Sequence, residues 1–200
     1  MFLIKLIQIM KLTVEEMLNK YSTNSSHAVE VQRIAMLLFE EASKKIFEMS
    51  SREKEYLKAA SLLHDIGYSI EAKGHNKHSM HLIIDYGIDG FNSDEVKIIA
   101  CIARYHRGSL PDKTEHEFYN SLEKRERKIV KRLGGILKLA DGLDKEHRKI
   151  INNIKIDINF ETRIAKIILQ KNSQDIDIST AIRKRDLFEI GFKCQSVILL

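Results

Sequence analysis

The chain has 200 residues, a net charge of +5, 44% hydrophobic and 30% charged residues, one proline and two cysteines. That length holds one domain, or one with a small appendage, and the composition is that of a soluble globular protein with a sizeable core. Cys101 and Cys194 alone argue against a disulfide framework and suit a reducing cytosol, and the positive balance is compatible with phosphate-bearing ligands without demanding nucleic acid.

The chain opens on an apolar run, residues 1–12, interrupted by Lys5 and Lys11. It is too short to span a bilayer, and it lacks the charged start and small-residue cleavage site of a signal peptide. Either the run docks on the body as a strand or helix, or it precedes the natural start at Met10. The second reading is favoured, because Met10-Lys-Leu-Thr-Val-Glu-Glu opens a capped amphipathic helix.

From Ser25 or Ser26 as N-cap, a helix is predicted over 25–47 with the stripe Val31, Ile34, Ala35, Leu38, Ala42, Ile46. His27, four residues before Val31, falls on its inner face. Ser50-x-x-Glu53 is a capping box opening the next helix. That helix ends in Ala59-Ala60-Ser61-Leu62-Leu63-His64-Asp65-Ile66-Gly67, with Gly67 read as the stop. His64 lies four past Ala60 and so points inward. A neutral imidazole next to a carboxylate offers ligands for Mn, Fe, Zn, Mg or Ni. Adjacent helical residues point about 100° apart, so His64 would hold a first metal while Asp65 reaches into the same pocket and bridges to a second. Alone, the pair reads more readily as a helix C-cap than as a metal site.

A polar loop over 69–77 leads to a helix predicted over 78–86, and three histidines crowd this entry: His75, His78 and His81. His78 is chosen to face the pocket, since it begins the helix whose apolar side is Leu82, Ile83 and Tyr86. Asn92-x-x-Glu95 caps a further helix with the stripe Val96, Ile99, Ala100, Ala103, and His106 follows on the inner side. Arg104 and Arg107 flank it as phosphate clamps or as a solvated basic face. The loop 108–120 holds Pro111 and is expected over the site.

A long helix is predicted over 121–141. Its charged first half is a solvated face. Gly134-Gly135 in its middle costs about 1 kcal/mol per glycine against alanine, which points to close approach of another helix. Asp141, four past Leu137, is carried on the core side, where a buried carboxylate needs a cation. Asp144, His147 and Arg148 follow at helical spacing, with Asp144 and His147 behind the ligands. After Ile151 the period falls to two: Ile154, Ile156, Ile158 and Phe160 alternate with polar residues. A second strand over 163–170, a helix over 176–190 and a closing strand over 193–200 complete a β-β-α-β tail. This tail holds no ligand constellation, and its expected role is structural or oligomeric.

His27, His64, Asp65, His78, His106 and Asp141 thus each fall at the end or inward edge of a separate helix. This pattern resembles the HD-domain metal-dependent phosphohydrolase superfamily, with His27, the His64-Asp65 pair and the distant Asp141 in its signature positions. His78 and His106 are similar to the extra histidines of dinuclear members. The blocks Leu63-His-Asp-Ile-Gly-Tyr68, Lys77-His-Ser79, Ala103-Arg-Tyr-His-Arg107 through Leu110-Pro111, and Leu139-Ala-Asp-Gly-Leu-Asp144 resemble, in order, the C-terminal HD-like region of the exopolyphosphatase/guanosine pentaphosphatase family. The likeness covers about residues 25–200. Members of that family usually carry an actin-like N-terminal domain that performs the phosphatase chemistry; the residues before Ser25 hold none, so those catalytic residues are not carried over. Some dinuclear HD phosphodiesterases have Lys after His-Asp-x-Gly, where this chain has Tyr68.

The resemblance implies a mainly α HD bundle over 25–150, after an N-terminal segment 1–24, with a small α+β unit over 151–200. It implies a cytoplasmic phosphohydrolase acting on a nucleotide or other small phosphate ester through one or two divalent ions. His64 and Asp65 would be central to catalysis, and Arg107, Arg104 and Lys145 would hold phosphate. Its rival is a non-catalytic module that binds a guanosine polyphosphate or polyphosphate, or that partners a separate phosphatase domain.

Overall fold

The computed structural model describes residues 11–200. The apolar run before Met10, and the reading of Met10 as the start, lie outside the described residues. Helix α1 (Val14–Tyr21) is capped by Thr13, whose hydroxyl and Glu16 form a reciprocal box. Helices α2 (Ser25–Lys45), α3 (Ser51–Leu63), α5 (Ser93–Arg104) and α7 (Lys124–Leu143) bury the stripes that their periodicity marks. Ser50/Glu53 and Asn92/Glu95 make the capping boxes of α3 and α5. Leu38, Leu57, Leu63, Ile99, Leu133 and Leu137 meet in the fully buried centre. No helix of the described residues is long and apolar enough to cross a membrane.

Two local expectations change. Gly67 is not a left-handed stop. It lies in a 3₁₀ turn, Ile66–Ser69, and is required because α4 (His75–Tyr86) begins against it: a Cβ there would stand 2.0 Å from the His75 carbonyl oxygen. The backbone N–H of Gly67 donates to Ser79 Oγ at 2.9 Å, and that hydroxyl donates to the His64 carbonyl at 2.6 Å. Helix α4 also starts three residues before the predicted position, after Gly74 at φ 78°.

The loop 108–120 folds a short helix, α6 (Glu117–Ser121). The tail forms β1 (Ile151–Asn159), β2 (Ile164–Lys171) and β3 (Gln195–Leu199) in the order β1-β2-β3, antiparallel then parallel. Phe160, expected on the inner face, lies beyond the end of β1 and is 60% exposed. Edge strand β1 is covered by α2, where Glu41 Oε2 accepts the Ile156 N–H at 3.0 Å.

The predicted tail helix is two helices, α8 (Ser179–Lys184) and α9 (Asp186–Phe192), bent at Arg185. The bend lets each pack on a different glycine of α7. Ala181 sits on Gly142, and Leu187 and Phe188 sit on Gly134 and Gly135. A Cβ on Gly135 would meet the Phe188 backbone at 2.6 Å, whereas one on Gly134 would meet the end of the Leu187 side chain at 3.3 Å. Gly135→Ala is therefore expected to lose about 1–3 kcal/mol in urea unfolding. In Gly134→Ala the gain in helix propensity, about 1 kcal/mol, offsets a small shift of Leu187. Equal losses in the two variants would show that backbone approach is not the reason for the pair.

Candidate metal centre

Five of the six ligand-type residues singled out in the sequence come together at one cleft of about 550 Å³: His27, Asp65, His106 and Asp141 line it, and His64 is buried behind Asp65. Asn24, the N-cap of α2, accepts the His27 backbone N–H at 3.1 Å and so sets His27 in the first turn. His64 caps the C-terminus of α3 and is fully buried, with Asp65 beside it in the turn. His106 follows α5, and Asp141 projects from the last turn of α7.

Asp65 is the centre of the arrangement. Its Oδ2 faces His64 Nε2 at 3.4 Å and His27 Nε2 at 3.8 Å. Its Oδ1 faces His106 Nε2 and His75 Nε2, each at 3.4 Å. Asp141 Oδ1 lies 3.3 Å from His27 Nε2 and 4.0 Å from His64 Nε2. One carboxylate thus stands between two half-sites: His27, His64 and Asp141 on one side, His75 and His106 on the other.

All four imidazoles are turned the same way. Nδ1 of His64, His75 and His106 donates to the carbonyls of Ser61, Ala72 and Ala103 at 2.8, 2.9 and 2.7 Å. Nδ1 of His27 donates to Asp144 Oδ2 at 2.7 Å. A carbonyl can only accept, so the proton of each neutral ring sits on Nδ1 and the Nε2 lone pair faces the cleft. This is how second partners orient metal-binding histidines.

The donor set fits divalent cations. Nε2 of His64 is buried without any hydrogen-bond partner, yet it looks towards two carboxylates. A lone pair and two anions in one buried space repel unless positive charge lies among them. In the metal-free protein that charge is borne by protons and one lysine. Burial opposes charge on His27, but Asp141, Asp144 and Asp65 raise its imidazole to about 9. Burial would raise the carboxyl of Asp65, and His64 and His106 hold it below the usual carboxylate range instead. His106, buried and next to His64, is pushed down to about 3 and stays neutral. Lys184 of α8 forms an ion pair with Asp141 Oδ2.

His78 does not join the cleft. Because α4 begins at His75, that residue takes the inner position, four before Ser79 and eight before Ile83, both fully buried. His78 turns outward, with Nε2 3.8 Å from Glu71. His75 was the residue missed, and its spacing to Ser79 and Ile83 was the available signal.

Arg104 does not reach the cleft either. It is buried on the other side of the turn, beside Tyr105 and His116. Arg107 does line the cleft and makes no ion pair among the described residues. Lys145 lines it too, but its ammonium lies 3.2 Å from Asp177. Asp144 stands behind His27, and the ring of His147 packs edge-on against that of His27 at 4.4 Å. The tail, read as free of site residues, supplies Thr180, Arg183 and Lys184 to the rim, because α8 folds back on the end of α7. Tyr68 stacks on His75 at 4.0 Å and forms part of the wall. The cleft thus has a floor of imidazoles and carboxylates beneath a basic rim of Arg107, Lys145, Arg183 and Lys184.

A family model described as Ppx/GppA phosphatase, domain III, matches residues 9–187. The chain belongs to this family. Among curated relatives, a guanosine-5'-triphosphate,3'-diphosphate pyrophosphatase of Pseudoalteromonas translucida is 28% identical over 102 residues, covering 51% of this chain and 20% of the relative. Proteins of the same name from Vibrio campbellii and Vibrio atlanticus are 26% identical over 98 residues and 24% identical over 120 residues. Those matches cover 49% and 60% of this chain and 20% and 24% of the relatives. The chain therefore spans about a fifth to a quarter of the length of these pyrophosphatases.

Proposed function

We propose that this chain is a metal-dependent phosphohydrolase of HD-domain type, acting on a nucleotide or another small phosphate ester. The observation that carries this reading is Asp65 set between two groups of inward-facing Nε2 atoms beneath a basic rim. His27, His64, Asp65 and Asp141 would hold one divalent ion (Mn, Fe, Zn, Ni or Mg), and His75, His106 and the other oxygen of Asp65 a second. Such ions activate bound water and neutralise phosphoryl oxygens.

The remaining roles belong to the protein. Asp144 keeps the proton of His27 on Nδ1, so that Nε2 stays available. Arg107 and Arg183, free of carboxylate partners among the described residues, grip the phosphate oxygens at the rim. Lys184 neutralises Asp141 and presents a further cation at the same wall. Family membership and the names of the relatives support a phosphorylated nucleotide as substrate. The two free, buried cysteines suit a reducing compartment and a cytoplasmic setting.

The test is phosphate release from mononucleotides, cyclic nucleotides, guanosine polyphosphates and polyphosphate, with each metal added in turn. Arg107→Ala is expected to keep its metal and lose tenfold to a hundredfold in kcat/KM, the worth of a charge-assisted contact of roughly 1.5–3 kcal/mol. A variant as active as wild type would make Arg107 a solvated surface charge.

A second reading rests on coverage. The family match is to one domain of a phosphatase, and the relatives are about four to five times longer than the matched segments. The cleft would then bind a guanosine polyphosphate or polyphosphate without hydrolysing it, or serve a separate phosphatase domain. Tight binding of one such compound by metal-loaded protein, with no turnover of any substrate, would favour this reading.

A further inference from the structure

A second cavity, of about 440 Å³, lies on the far side of the turn that carries His106. Its walls include Lys77, His81, Arg104, Tyr105, His116 and Phe118. Arg104 and Arg107 leave the same turn to line different cavities, while Asn76 Nδ2 donates to the carbonyls of both, at 2.8 and 3.0 Å.

Arg104 is only 6% exposed, yet it forms no ion pair among the described residues. Its guanidinium meets the Tyr105 ring at 5.5 Å and His116 Nε2 at 3.4 Å. The second contact is not a hydrogen bond. His116 Nδ1 accepts the Asp112 backbone N–H at 3.1 Å, and the Tyr105 hydroxyl lies 2.9 Å from the same nitrogen. A ring nitrogen that accepts an N–H carries no proton, so the proton of His116 sits on Nε2. Arg104 Nη2 therefore faces another N–H, donor against donor. A desolvated guanidinium without a counter-charge is costly, and two converging donors call for an acceptor between them. Lys77, exposed at the mouth, adds positive charge, and Ser109 Oγ, 3.5 Å from His116 Nε2, is a distant neutral acceptor for that N–H and brings no counter-charge to Arg104. Glu115 and Glu117 stand exposed at the rim and disfavour a polyanion.

We propose that this cavity binds a small oxyanion of inorganic-phosphate size, held between Arg104 and the Nε2–H of His116 with Lys77 at the mouth. The test is a titration of the metal-free full chain, labelled with ¹⁵N in its histidine rings, with inorganic phosphate at constant ionic strength. The Nε2 signal of His116 is expected to shift and saturate, while that of His106 moves far less. Arg104→Gln should weaken the affinity tenfold to a hundredfold, as loss of a charge-assisted hydrogen bond does, and Lys77→Ala several-fold. Unperturbed His27 and His64 signals show that a variant is folded. If Arg104→Gln does not fold, the exposed Lys77→Ala decides. A His116 signal that never saturates, or one whose affinity is unchanged in the deciding variant, would leave water as the acceptor and overturn the proposal. So would a response confined to His106, which would place phosphate in the metal cleft instead.

Discussion

Asp65→Ala is expected to empty both metal positions in a single step and to lower turnover by roughly a thousandfold or more, the several kcal/mol of transition-state stabilisation that bound cations supply. The reason is geometric. Each of the four imidazoles comes within 3.8 Å of one or other oxygen of Asp65. Removing that carboxylate would deprive both groups of imidazoles of the anion they share and would leave His75 and His106 with no carboxylate between them. Helicity should persist. The Asp65 side chain is one-quarter exposed, and it caps no helix through a side-chain hydrogen bond. Metal analysis of the purified protein and far-ultraviolet circular dichroism separate the two effects. Wild-type metal content in the variant would remove Asp65 from the site. Loss of helicity would make its role structural.

The fold was legible wherever the information is local. The 3.6-residue stripes of α2, α3, α5 and α7, the boxes Ser50/Glu53 and Asn92/Glu95, and the alternation of β1 are each set by residues about two to four positions apart in the chain. His27, His64, His106 and Asp141 were placed inward because each lies three or four residues from a core position on its own helix. What could not be read depended on distant partners. Gly134-Gly135 signalled a close neighbour, but only the folded chain shows that neighbour to be α9. The cations Arg183 and Lys184 reach the cleft because α8 docks on Gly142, and no spacing within residues 176–190 records that docking. Arg104 stands four residues past Ala100 and eight past Val96, both buried, so its burial could be inferred. Which cavity it enters could not be inferred, because the direction of a side chain leaving a helix end depends on the loop folded over it.

His75 and His78 form the sharpest test of the second half-site. They share the first turn of α4, the same chemistry and nearly the same sequence context, so composition cannot separate them. Geometry does. His75 Nε2 lies 3.3 Å from His106 Nε2 and 3.4 Å from Asp65 Oδ1, and its Nδ1 is fixed by the Ala72 carbonyl. His78 Nε2 points to the exposed Glu71 instead. His75→Ala is therefore expected to lower bound metal from about two equivalents to about one, since the half-site of His27, His64 and Asp141 keeps all its donors. Turnover should fall by on the order of a hundredfold, because an outlying ligand is lost while the first ion remains. His78→Ala should match wild type in metal content and rate, since a half-buried histidine outside the cleft, 3.8 Å from the exposed Glu71, contributes little. The measurement is metal stoichiometry by mass spectrometry on both variants, with kcat/KM determined on whichever substrate the wild type turns over. If His78→Ala loses the metal and His75→Ala keeps it, the start of α4 would be displaced by one turn, and Gly67 would no longer need to be a glycine.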